Sequence, residues 1–281
     1  MICSQPLETF KVLMDIGLYK KVFILLLCNC HMINAVQELP PSNWGENIIN
    51  PPTTYSLLGH QVLHFGSTDY PYEECPEAVA FVEKYLKDAK RFNSDADLLR
   101  YASDQVKIEG VYVELGVCTG KSINFIAALN PSQVIYGFDS FQGNPEDWHR
   151  DQSIVPQGTF GLKDPSKIPL VLNNVKLIQG FFEESLPYYV RTLLNARPIA
   201  FLHVDCDLYS STNCAFQILD PYIKEGTIII FDELYGYPGY AECEFKALTE
   251  FLKRSGYTVE YLAFNAMFEG VVVRVCQPSG L

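Results

Sequence analysis

From residue 110 onward the chain alternates short, continuous apolar runs with stretches whose apolar residues recur every three or four positions. The runs VYVEL (111–115), QVIYGF (133–138), VKLIQ (175–179), PIAFLHV (198–204) and GTIIIF (226–231) are short and rich in β-branched and aromatic residues. They predict strands buried on both faces. Helical patterns follow all but the second: KSINFIAAL (121–129), a segment near 183–195, one from about Ser211 to Tyr222, and AECEFKALTEFLKRSG (241–256). TVEYLAF (258–264) and FEGVVVRV (268–275) are separated only by a short turn, which predicts an antiparallel hairpin at one edge. Together these elements predict an α/β protein: a three-layer, Rossmann-like fold with a mostly parallel seven-stranded sheet and a C-terminal antiparallel hairpin.

Upstream the pattern is weaker. PEAVAFVEKYLKDAKRF (76–92) has helical periodicity with Pro76 in the first turn, and Ser94 is a candidate cap for a helix over DADLLRYASDQ. Residues 35–75 are rich in Pro, Asn, Ser and Tyr and read as an irregular lead-in. The organisation expected is an N-terminal extension (1–70) and one domain (71–281). Within the domain a long insertion at 141–174 separates the second and third strands, a length typical of lids and binding loops. The apolar stretch within KKVFILLLCNC, about residues 22–30, is too short to span a bilayer. It reads as a packing helix, an over-extended start or, as the minor alternative, a signal segment.

Composition narrows the function classes. The 281 residues carry 21 Lys and Arg against 33 Asp and Glu, a net charge of −12. Such a surface repels phosphate backbones and anionic lipid, so nucleic acid and membrane are not expected partners. Hydrophobic content of 48% supplies a core, and nine scattered cysteines fit reduced thiols in a cytoplasmic protein. The sequence leaves a homo-oligomer open.

In open α/β sheets ligands bind beyond the carboxyl ends of the strands. Here those ends read ELGVCTGKS, FDSFQG, IQGFF, HVDCD and FDELYGY. In the first, Gly116 and Gly120 allow close approach of backbone to a ligand, and Ser122 sits at the helix start. The two glycines are four apart, where a phosphate-binding P-loop needs five. Asp139 ends the second strand, where such folds place an acid that accepts hydrogen bonds from the ribose hydroxyls of a nucleoside cofactor. Ser140 follows it. Gly180, Phe181 and Phe182 end the third strand, with Gly180 and Phe181 placed to receive an adenine ring. Asp205 and Asp207 end the fourth strand, Asp232 and Glu233 the fifth. With no basic residue at a neighbouring strand end, these carboxylates call for a cation, and oxygen-only ligands suit Mg²⁺, Mn²⁺ or Ca²⁺. His203, inside a strand, reads as a hydrogen-bonded core residue before it reads as a base. Trp148 and His149 on the insertion, with Tyr235 beyond the acidic pair, are candidates to close over a substrate.

Seven strands ending in a hairpin is the layout of class I methyltransferases rather than of NAD-binding domains. The motifs ELGVCTGKS, GFDSFQGNPEDW, HVDCDLYSST and FDELYGYPGY, in that order, resemble the macrocin O-methyltransferase family of class I S-adenosylmethionine-dependent enzymes over about residues 110–275. The resemblance implies methylation of a hydroxyl on a sugar or related natural product with a divalent metal, Mg²⁺ or Mn²⁺. It implies Asp205 as metal ligand and general base, with Asp232 and Glu233 completing the metal site. It also implies Glu114, Gly116, Ser122 and Asp139 as residues that hold the cofactor. Two departures stand out. Glu233 replaces the second aspartate of the best-known members, and Asn144 stands where relatives often have leucine. The acceptor expected is a small hydroxylated molecule: a sugar, glycoside or catechol-like compound. Two alternatives remain: a glycosyltransferase using VDCD as a metal-binding D-x-D, and a non-catalytic methyltransferase-like binding module.

Overall fold

The computed structural model describes residues 71–150, 153–164, 168–194 and 196–277, with two short strands further upstream. The apolar segment at 22–30 and most of the N-terminal extension lie outside the described residues. The upstream strands, β1 (Tyr55–Leu57) and β2 (His60–Val62), pair antiparallel.

Ten further strands follow in chain order: β3 (Lys90–Phe92), β4 (Val111–Leu115), β5 (Ile135–Asp139), β6 (Trp148–Arg150), β7 (Ser153–Val155), β8 (Val175–Gln179), β9 (Ile199–Val204), β10 (Ile223–Phe231), β11 (Thr258–Asn265) and β12 (Val271–Cys276). Eight of them form one sheet in the order β3-β11-β12-β10-β9-β4-β5-β8. β8, β5, β4, β9 and β10 run parallel, whereas β12 is antiparallel to both β10 and β11. The terminal hairpin is thus present, with its second strand inserted beside β10. β9 is buried at all six positions, as its continuous apolar pattern implies for a central strand.

One expectation is corrected. The helical reading of 76–92 holds only for α1 (Pro76–Phe81) and a wider helical turn through Leu86. Lys90–Phe92 instead forms β3, which pairs in parallel with Ala263–Asn265 and adds an eighth strand outside the hairpin. Charged residues suit such an edge, and the pairing partner lies far along the chain, so local periodicity cannot report it.

Helices cover both faces. On one side lie α2 (Asp95–Asp104) and α3 (Lys121–Leu129), which bury Leu98, Leu99, Ile123 and Phe125 in a core shared with Tyr112 and Phe201. On the other lie α1, α4 (Phe182–Tyr189), α5 (Tyr209–Leu219) and α6 (Glu244–Ser255), whose Phe81, Leu186, Phe216 and Phe251 pack against Leu115, Val204 and Phe231. Ser94 caps α2 as its sequence implies, its Oγ accepting the Asp97 N–H at 3.2 Å, a contact worth about 1 kcal/mol. The six described cysteines are free thiols. Among the described residues no helix is long and apolar enough to cross a membrane.

Candidate active site

The five parallel strands all end on one side of the sheet, and a cavity of about 350 Å³ opens there. Its floor is set by backbone. Gly116, just after β4, sits at φ +89°, and the Asp205 carbonyl passes so close that a Cβ at 116 would lie 1.6 Å from its oxygen. The Asp205 N–H donates to the Leu115 carbonyl at 2.9 Å. The glycine loop and the acidic stretch after β9 are therefore locked together.

Asp139 organises the next loop. Its Oδ2 accepts the N–H groups of Val117 and Cys118, each at 2.7 Å, and its Oδ1 accepts that of Phe141 at 2.6 Å. Three of its roughly four lone-pair positions are thus in use, leaving about one for a ligand where a pair of ribose hydroxyls would take two. Gly116, Asp139, Ser140, Gly180, Phe181 and Asp205 line the cavity. Glu114, Gly120 and Ser122 do not. Glu114 is fully buried, accepting from Ser122 Oγ at 3.0 Å and meeting His203 Nδ1 at 3.0 Å. Burial raises the Glu114 carboxyl above the ordinary range, opposed by His203 and Ser122. For His203 burial acts downward, yet the Glu114 partner leaves its imidazole raised. His203 is a hydrogen-bonded core residue, and the trio braces the glycine loop from behind. Gly120 caps α3 in a left-handed conformation.

The acids gather where β9 and β10 end side by side, Phe231 being paired with Val204. Asp207 does not continue the strand: it adopts φ +60°, and the chain kinks so that the Leu208 N–H reaches the Cys206 carbonyl. Carboxylate oxygens of Asp205, Asp207 and Glu233 nevertheless lie within 4.8 Å of one another. Asp232 lines the same cavity but stands outside this triad. Behind them Glu244, fully buried at the start of α6, accepts the Glu233 N–H at 3.3 Å. Among the described residues, one oxygen each of Glu233 and Glu244 is buried without a hydrogen-bond partner. Burial first, and mutual repulsion second, hold Asp205, Glu233 and Glu244 well above the carboxylate range. Asp207 is pushed to about 6 by burial, with its hydrogen bond from Asn144 opposing. Arg150 also pulls Asp207 down, but its guanidinium is bonded to Glu269. Crowded, uncompensated, oxygen-only donors fit a hard divalent cation.

The insertion is structured. β6 and β7 pair antiparallel, and main-chain bonds between Asn144 and Thr159, Gly158 and Asn144, and Leu162 and Phe141 close its base. Side-chain contacts fasten this arm over the acids. Asn144 Nδ2 donates to Asp207 Oδ2 at 2.9 Å, and Ser210 donates to Glu146. Arg150 bonds Glu269 and lies over the rings of Trp148 and Tyr237, 4.6 and 4.1 Å from their centroids. Trp148 is buried, lines the cavity and meets Tyr237 edge-on at 5.8 Å. Strand alternation turns His149 outward, where it is exposed. Tyr235 is not at the cavity. It stacks on Phe81 in the core at 5.4 Å and donates to the Asn265 carbonyl.

Sequence reasoning did not find Arg150, Glu244 or Glu269, and it quoted Asn144 only as a departure from relatives. For Asn144 that departure was the available signal: leucine cannot donate to Asp207.

Residues 113–234 match the family model described as "Methyltransferase domain". A comparison with curated protein sequences found no match. Among solved structures, the chain is similar to CalS11, described as a calicheamicin methyltransferase, at 26% identity and a TM-score of 0.52, over 63% of this chain and 77% of that one. The O-methyltransferase NovP is 21% identical with a TM-score of 0.45, over 65% of this chain and 79% of that one. The fold is that of class I methyltransferases, and the chain carries an S-adenosylmethionine-dependent methyltransferase domain. This match is to the general domain, a coarser relation than the macrocin motifs imply.

Proposed function

We propose that the chain is a divalent-cation-dependent O-methyltransferase acting on a hydroxyl of a sugar, glycoside or catechol-like small molecule. The observation that carries this reading is the triad of Asp205, Asp207 and Glu233, half-buried at Asp205 and buried at the other two, with no Lys or Arg ion-paired to it among the described residues. The similarity to CalS11 supports it.

In this reading Gly116, Asp139, Ser140, Gly180 and Phe181 bind S-adenosylmethionine, and Asp205, Asp207 and Glu233 hold Mg²⁺ or Mn²⁺, with Asp232 facing the same space. When bound, the cofactor supplies an electrophilic methyl carbon, and the cation lowers the pKa of a coordinated hydroxyl while neutralising the acids. Asp205, at the junction of glycine loop and acid triad, would take the proton of the acceptor hydroxyl as that oxygen gains the methyl group. Vicinal hydroxyls favour chelation, hence the polyol or catechol acceptor. The Asn144 amide occupies one Asp207 oxygen and so orients that carboxylate. Trp148 and the arm around it exclude water from the cavity.

Thermal-shift titration tests the reading: S-adenosylhomocysteine and Mg²⁺ should each raise the melting temperature, and UDP should not. Stabilisation by UDP with Mn²⁺, and none by S-adenosylhomocysteine, would overturn it in favour of nucleotide-sugar binding.

A further inference from the structure

Phe160, on the returning limb of the arm, is costly where it stands. Its backbone is left-handed at φ +68°, a conformation bulky residues rarely adopt, and the residue is 51% exposed. Three large apolar side chains are exposed among the described residues, Val134, Ile154 and Phe160, and of these Phe160 lines the cavity. Core packing explains neither the strain nor the exposure.

Its position is held from two sides. The Phe160 carbonyl accepts from Cys118 Sγ at 3.3 Å, and the Cys118 N–H is itself bonded to Asp139. Burial first, then the nearby carboxylates of Asp139 and Asp205, pushes the Cys118 thiol up to about 11, so it stays a protonated donor at neutral pH. On the other side residues 158–161 lie against the turn after β5: a Cβ at Gly161 would meet the Gln142 carbonyl at 2.7 Å, and one at Gly143 the Gly158 carbonyl at 2.3 Å. Phe160 therefore lines the cavity together with Gly116 and Asp139, which follow β4 and end β5.

We propose that Phe160 is a cofactor-binding residue whose ring covers the adenosyl end of S-adenosylmethionine, tying the arm to the bound cofactor. The proposal rests on the reading that this cavity holds S-adenosylmethionine. Strain and exposure in the free protein are then offset by stacking when the nucleoside is bound.

The test is calorimetric titration of S-adenosylhomocysteine into wild type, Phe160→Asn and Phe160→Tyr, with melting temperatures of the ligand-free proteins. Asparagine tolerates positive φ and lacks a ring, so Phe160→Asn should bind roughly tenfold or more weakly. The same variant should melt at or above the wild-type temperature, and Phe160→Tyr should bind like wild type. Wild-type affinity in Phe160→Asn would overturn the inference. Weaker binding together with a lower melting temperature would also overturn it, because the role would then be structural. Absence of binding by wild type itself would instead sink the cofactor-site reading, and the inference with it.

Discussion

Substituting Gly116 with alanine tests the backbone junction on which the site depends. The added carbon would lie 1.6 Å from the Asp205 carbonyl oxygen, about half the closest distance such atoms tolerate, at a residue whose φ is +89°. Backbone cannot rotate away as a side chain would. The glycine loop must separate from the stretch that carries Asp205, which also breaks the Asp205 N–H bond to Leu115. Positive-φ strain of about 1–2 kcal/mol and forced backbone displacement of about 1–3 kcal/mol or more sum to about 2–5 kcal/mol or more. For a domain of this size that lowers the melting temperature by roughly 4–20 °C. Gly120→Ala is the control. Its φ is also positive, +81°, but the nearest atom is a Pro169 side-chain carbon at 3.1 Å, so strain of about 1 kcal/mol and a loss of roughly 2–4 °C are expected. Thermal melts followed by circular dichroism read both. Gly116→Ala melting no lower than Gly120→Ala, with methyl transfer intact, would refute the crossing geometry and the locking of Asp205 to the glycine loop.

Asp205→Ala should reduce methyl transfer by about 10²–10⁴-fold, the usual contribution of a general base, while S-adenosylhomocysteine affinity measured by calorimetry stays near wild type. Retained turnover would remove Asp205 from that role. Asn144→Ala deletes a hydrogen bond to a charged group worth about 1.5–3 kcal/mol, so the Mg²⁺ concentration giving half-maximal transfer should rise about tenfold or more; an unchanged value would detach Asn144 from the acid centre. Glu269 has its pKa raised from 4.5 to about 7, by burial first, against the pull of Arg150. The folded state therefore binds this proton more tightly than the unfolded one, and stability falls as pH rises from about 4.5 to 7. Glu269→Gln should flatten denaturant-derived stability across that window, and an unaltered slope would contradict the assignment.

The sheet was legible because its parallel strands are buried on both faces, so their sequences are continuous apolar runs. VYVEL and VKLIQ match β4 and β8 residue for residue. β3 was not legible, since Lys90–Phe92 are strand only by virtue of Ala263–Asn265 beside them. The acid cluster could be located from strand ends but not resolved into its parts. Period-two alternation says nothing of Asp207 once its φ turns positive, and Glu244 joins the site through a helix start. The contacts that fasten the arm, Asn144 to Asp207 and Arg150 to Glu269, span 63 and 119 residues, distances over which no local pattern carries information. Glu114 and Ser122 were expected to hold the cofactor; in the structure they are hydrogen-bonded to each other and do not line the cavity.

The central claim is methyl transfer at a cation-bearing acid centre, and one measurement meets it directly. Purified protein is incubated with labelled S-adenosylmethionine and a panel of glycosides and catechols, with excess EDTA and then with Mg²⁺ restored. The account predicts transfer to at least one vicinal-hydroxyl acceptor, lost in EDTA and recovered with Mg²⁺. Transfer undiminished by EDTA would contradict the cation site, and bound cofactor without transfer to any acceptor would contradict the enzyme.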